Sequence, residues 1–199
     1  MTSQARAYYS LVSRLRKAGI PFTSLVPGSR SPGCDLILTT RAEAPSFGTK
    51  ALPEEELDGD PCVFKGQILS RLDGGGETLL LGVDPGRRIG VAAFYGDSSL
   101  EFSTLGSAEA LCERVAAFVN NVPAKRSLVR IGNGSSALAM GLALSVAGRA
   151  PQAAIEVVDE AGTSVRGLRM KGVQGDQRAA ARIAFRKGVA FSPAPKSRE

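Results

Sequence analysis

The sequence predicts an α/β protein in which helices pack on a five-stranded mixed sheet, and three observations carry that prediction. Five short apolar runs bounded by turn residues read as strands: TLLLGV (78–83), IGVAAFY (89–95), LEFSTL (100–105), SLVRI (127–131) and AIEVV (154–158). The first three are joined by the tight turns Asp84-Pro85-Gly86 and Gly96-Asp97, which predicts an antiparallel meander. The last two alternate with helical segments, the pattern of crossover connections and parallel strands.

The helices follow from caps and periodicity. SAEALCERVAAFVNN has Ser107 as its N-cap and leaves near Pro123. SSALAMGLALSVA follows the break at Gly132-Asn133-Gly134, and a last helix is expected from about Asp176 to Gly188. Before this domain, residues 4–18 form an amphipathic pattern with Tyr8, Leu11, Val12 and Leu15 at helical spacing and Gly19 as the stop. IPFTSLV (20–26) and CDLILTT (34–40) read as strands, 43–60 as irregular, and CVFKGQILSRL (62–72) as a strand or a short helix. The chain is therefore divided into a small α/β module at 1–72, a linker at 73–77, the main domain at 78–188 and a disordered tail at 189–199.

Composition narrows the chemistry. Histidine is absent from the 199 residues, which removes Ser–His and Cys–His catalysis and imidazole-held metals. Cys34, Cys62 and Cys112 form no CxxC pair and read as small buried hydrophobes in a reducing compartment. No apolar run approaches the roughly 20 residues of a membrane helix, so no membrane partner is expected. The opening MTSQARAYYS lacks the apolar core of a secretory leader, and the expected location is the cytoplasm. The net charge of +6 favours a polyanionic partner.

Three segments carry candidate chemistry. In Gly82-Val83-Asp84-Pro85-Gly86-Arg87-Arg88, an Asp ends an apolar strand, where a carboxylate is costly unless a cation offsets it. The same residues also make an ordinary Asp-Pro-Gly turn. In IEVVDEAGTS, Asp159 and Glu160 close another strand; they are either solvated turn residues or carboxylates at the sheet end where α/β proteins gather ligands. In MKGVQGDQRAAARIAFRKG, Asp176 opens a helix, a position the helix dipole also favours without any chemistry. The loop glycines Gly86, Gly132 and Gly134 would let a phosphate approach the backbone.

GVDPGRRIGVAA resembles the opening motif of the RuvC/YqgF families of the ribonuclease H-like superfamily, which include Holliday-junction resolvases and pre-rRNA-processing nucleases. Asp159, Glu160, Thr163 and Ser164 are similar to the YqgF signature in which a strand ends in Asp-Glu-Arg followed by Thr or Ser, with Ala161 in the place of the Arg. The run before and after Asp176 resembles the end of the same family. The RuvC-type Glu near the end of the fourth strand has no counterpart here.

The resemblance covers about 110 residues. It implies a ribonuclease H-like domain with Asp84, Glu160 and Asp176 as catalytic and metal-holding acids, Asp159 being the alternative to Glu160. The implied cofactor is a pair of Mg²⁺ or Mn²⁺ ions, hard cations suited to oxygen ligands. The implied activity is metal-dependent endonucleolytic cleavage of structured RNA or branched DNA. Arg87, Arg88, Arg166, Arg169, Lys171, Arg178 and Arg182 would form the nucleic-acid track. A homodimer is left open. Two alternatives stand beside this expectation: a non-catalytic nucleic-acid-binding or ribosome-associated protein on the same fold, and an actin-like or sugar-kinase ATPase, for which the chain is short.

Overall fold

The structure is a computed structural model that describes residues 1–26, 28, 33–159, 173 and 175–192. The chain forms two compact units, Met1–Gly75 and Gly76–Glu199.

In the first unit, helix α1 (Ala5–Lys17) precedes strand β1 (Ile37–Thr39), which pairs in parallel with β2 (Ala51–Pro53). Turns of 3-10 helix at Ala44–Lys50 and Glu54–Glu56 flank β2, and helix α2 (Pro61–Asp73) ends the unit. Leu11 and Leu15 of α1 pack on Phe64 and Ile68 of α2 together with Leu57. One expectation is corrected here. Residues 20–26 form no strand, because the Ile20 amide closes the end of α1 on the Leu15 carbonyl and Pro21 has no amide to give a ladder. Of the two readings open for residues 62–72, the helix holds: the Asp60 carboxylate accepts from the Cys62 and Val63 amides, Pro61 opens the helix, and Gly74 at φ 74° closes it.

The second unit holds a six-stranded mixed sheet. Strands β3 (Thr78–Asp84), β4 (Ile89–Tyr95) and β5 (Ser98–Leu105) form the antiparallel meander. Helix α3 (Ala108–Asn121), capped by the Ser107 hydroxyl, leads to β6 (Arg126–Gly132), which lies parallel to β3. Helix α4 (Ser136–Arg149) leads to β7 (Ala154–Val158), parallel to β6. Helix α5 (Gly175–Ala184) and a two-residue strand β8 (Val189–Ala190) complete the unit, in the order β5-β4-β3-β6-β7-β8.

The sixth strand is a departure from the expected five and from a tail beginning at 189. Val189 and Ala190 pair antiparallel with Val157 and Glu156, and the Phe191 amide reaches the Ile155 carbonyl. Helix α5 also stops four residues before the expected Gly188. Gly188 presses against β7 so closely that a Cβ there would lie 2.7 Å from the Val157 carbonyl, and a continuing helix has no room for that approach. Residues 193–199 lie outside the described residues.

Strand alternation gives the sheet two unlike faces. Leu79, Leu81, Val83, Val91, Val129 and Ile131 are fully buried on the face covered by α3 and α4, and Leu111, Val115 and Phe118 of α3 are fully buried as well. The opposite face carries α5, whose Ala180, Ala181 and Ala184 pack with Leu80, Ala92, Phe94 and Leu128.

Candidate functional site

Asp84 is the last residue of β3 and is half-buried. Its register partner across the antiparallel ladder is Gly90. Partners share a face, and so do residues two apart along a strand; Asp84, Gly82 and Gly90 therefore all lie on the α5 side. Both glycines are in direct contact with that helix. A Cβ on Gly82 would lie 2.0 Å from the Ala180 carbonyl oxygen and 2.7 Å from the Ala184 Cβ. A Cβ on Gly90 would lie 2.3 Å from the Asp176 carbonyl oxygen and 3.2 Å from its Cβ.

The consequence is a geometric link between two residues 92 positions apart (84 and 176). The first turn of α5 rests on the residue paired with Asp84, so Asp84 and Asp176 come to the same end of the same sheet face. Asp176 is exposed and sits in the first turn of α5, where the positive end of the helix dipole favours a carboxylate. Thr104 occupies the next position in this row, paired with Gly90 on β5. Its Oγ1 is buried and has no hydrogen-bond partner among the described residues.

The second pair of acids is divided by the edge of the described chain. Val158, paired with Gly132, ends β7 on the α5 face. Asp159, the next residue, is out of phase with it and exposed, and its carbonyl accepts from Arg186 Nη1 at 3.1 Å. Glu160, Thr163 and Ser164 lie outside the described residues, as do Arg166, Arg169 and Lys171. Among the described residues no set of three acids or cysteines gathers to hold a metal ion. Asp84 and Asp176, brought to one end of the same sheet face, are described acids that could hold an oxygen-liganded cation such as Mg²⁺, which is commonly bound by one or two carboxylates with water and substrate phosphate filling the other positions.

The described basic candidates are all at the surface. Arg87 and Arg88 are exposed in the β3–β4 turn, next to the exposed Gly86. Arg178 and Arg182 are exposed on α5 and one turn apart, hence on one side of the helix. The loop glycines after the fourth predicted strand are placed differently from expectation. Gly132 is buried within β6, and the neighbouring Asn133 amide is already given to the Val158 carbonyl at 2.9 Å, so that amide is not open to a phosphate. Gly134 is exposed in the loop before α4.

The sequence reading overlooked an ion pair on the α5 face. Arg130 of β6 donates through Nε to Glu156 Oε2 of β7 at 2.8 Å and through Nη1 to the Ala184 carbonyl at 2.7 Å. Glu156 also accepts from the Gly188 amide and faces Arg126 at 3.5 Å. Burial alone would raise the Glu156 pKa; the hydrogen bond and charge of Arg130, then the Gly188 amide and Arg126, outweigh it and hold the carboxyl below its ordinary value. The sequence signal was an Arg and a Glu inside two largely apolar strands. Gly82 and Gly90 gave a matching signal, since glycine inside a strand often marks a close approach by another backbone.

Among the described residues, no helix is long and apolar enough to cross a membrane. Comparison with known protein families finds no match, and comparison with curated proteins finds no relative.

Proposed function

We propose that the second unit is a ribonuclease H-like, metal-dependent endonuclease acting on structured nucleic acid, with Asp84 and Asp176 as two of its catalytic carboxylates and Glu160 as the third. The observation that carries this reading is the convergence of Asp84 and Asp176 through Gly90. The meander followed by two parallel strands, with helices on both faces, agrees with the ribonuclease H-like expectation.

Asp84 and Asp176 would hold Mg²⁺ or Mn²⁺ through oxygen atoms alone, in keeping with a chain that has no histidine. When bound, such ions polarise the scissile phosphate and activate water. Asp84 is anchored by the β3–β4 ladder, and Asp176 by the contact of its backbone with Gly90, so the backbone that carries both acids is in place before substrate arrives. Arg178 and Arg182, on the exposed side of α5, would grip the phosphate backbone beside the acids, and Arg87 and Arg88 would do so from the β3–β4 turn. These contacts orient the strand and carry no sequence preference.

The test is cleavage of labelled structured RNA and of branched DNA by the full chain with Mn²⁺ or Mg²⁺. Asp84→Asn keeps the side-chain shape and removes the charge; it should fold normally and lose cleavage. Full activity in Asp84→Asn overturns the assignment. The end of β6 at Gly132, with no acid at that position, favours a second reading of binding without cleavage. Nucleic-acid binding by the wild-type chain with no metal-dependent cut in either substrate would support that reading.

A further inference from the structure

The Arg130–Glu156 pair stands on the helix-bearing face of the central strands, where an apolar pair would suffice for packing. Its side chains are only 15% and 14% exposed. An ion pair so far removed from water recovers little net stability, and apolar replacements of similar size are often as stable. The unusual feature is the third partner: the same guanidinium that holds Glu156 also holds the Ala184 carbonyl, the last residue of α5. Helix α5 is thereby fixed at three points. Its first turn rests on Gly90 at Asp176, its middle and end rest on Gly82 at Ala180 and Ala184, and its C-terminal carbonyl is tied to Arg130. A rigid ten-residue helix held at its far end cannot slide or pivot without moving Asp176.

We infer that Arg130 is a positioning residue that sets the place of Asp176 beside Asp84 by anchoring the C-terminal end of α5, an inference that rests on the reading of Asp84 and Asp176 as a shared cation site. Glu156 acts through Arg130: it fixes the guanidinium plane and, by accepting the Gly188 amide, the turn that follows the helix. The opposite face of the sheet offers a matched control. There Arg114 of α3 pairs with Glu101 of β5, with side chains 16% and 10% exposed, and Glu101 is out of phase with Thr104 and Phe102 on the α5 side.

The experiment measures Mn²⁺ affinity of the full chain by water-proton relaxation, together with the melting temperature, and needs no cleavage. The double variant Arg130→Met with Glu156→Leu removes both charges and the bond to Ala184 while keeping the bulk. It should melt near the wild type and bind Mn²⁺ about tenfold more weakly, the usual scale for groups that orient metal ligands from behind. The control, Arg114→Met with Glu101→Leu, should leave the affinity unchanged.

Wild-type affinity in the folded double variant overturns the inference. Should that variant fail to fold, Arg130→Lys takes its place: it keeps the charge but cannot span both Glu156 and the Ala184 carbonyl, and an affinity equal to wild type overturns the inference equally. An equal loss in the control pair would mean that affinity follows general stability, and would also overturn it. Absence of Mn²⁺ binding in the wild type would instead sink the cation-site reading, and this inference with it.

Discussion

The two faces of the six-stranded sheet are built by opposite rules. The face under α3 and α4 is filled with large side chains: Leu79, Leu81, Val83, Val91, Val129 and Ile131 from the strands, Leu111, Val115 and Phe118 from α3. The face under α5 keeps Leu80, Phe94 and Leu128 but is lined with small residues where the helix comes closest. Gly82, Gly90 and Ala92 lie on the sheet and Ala180, Ala181 and Ala184 on the helix, with the Arg130–Glu156 pair beside them. Large side chains bury more apolar area, at roughly 25 cal/mol per Å², so the first face supplies most of the driving force for folding. Small side chains let two backbones meet at contact distance. The second face therefore gives up burial and gains a fixed position for the helix that carries Asp176.

The comparison predicts that removal of bulk harms one face and addition of bulk harms the other. Phe118 is fully buried and lies under the Arg114 guanidinium, 4.6 Å from its ring centre. Phe118→Ala should cost about 4 kcal/mol in urea unfolding, through lost transfer energy and the cavity left behind. A loss under about 1 kcal/mol would mean that this face collapses to fill the gap, and the contrast would fail.

On the other face, Gly82→Ala adds a single methyl and should still cost about 3 kcal/mol, because the nearest obstacle is backbone, the Ala180 carbonyl, and not a side chain that can turn away. Unchanged stability in this variant would show that α5 can lift off the sheet at no cost.

A smaller effect should come from Glu156→Gln, about 2 kcal/mol near neutral pH, since Arg130 and Arg126 lose a charged acceptor. Its pH dependence has a definite sign. The folded carboxyl titrates below its unfolded value of about 4.3, so its stabilising contribution is complete above that value and is lost as pH falls through the lower folded value. The gap between wild type and Glu156→Gln should hold through neutral pH and close only in the acid range below ordinary glutamate titration. A gap that closed instead between pH about 6 and 8 would point to a different group.

Much of this was legible in the sequence, and the misses have physical causes. The meander could be read because Asp84-Pro85-Gly86 and Gly96-Asp97 leave no length for anything but a return. Helix α3 could be read because Ser107 announces its own cap. The stretch 20–26 misled because its apolar residues serve a loop that closes α1, a tertiary use that local pattern does not encode. Strand β8 has only two residues and exists because β7 has an edge to pair with; no local signal marks it. The pairing of Asp84 with Asp176 needed the register Asp84–Gly90 and the seat of α5 on Gly90, neither of which spacing along the chain supplies. Asp159 and Glu160 remain an expectation from resemblance, with Glu160 outside the described residues.

The central claim is that Asp84 and Asp176 share one divalent cation. Electron paramagnetic resonance of free Mn²⁺, titrated with the full chain and with Asp84→Asn and Asp176→Asn, tests it most directly. The account predicts that the wild type depletes the free-ion signal and that each single variant loses that binding with its fold intact. Depletion by Asp176→Asn equal to that of the wild type, or no depletion by the wild type at all, would contradict it.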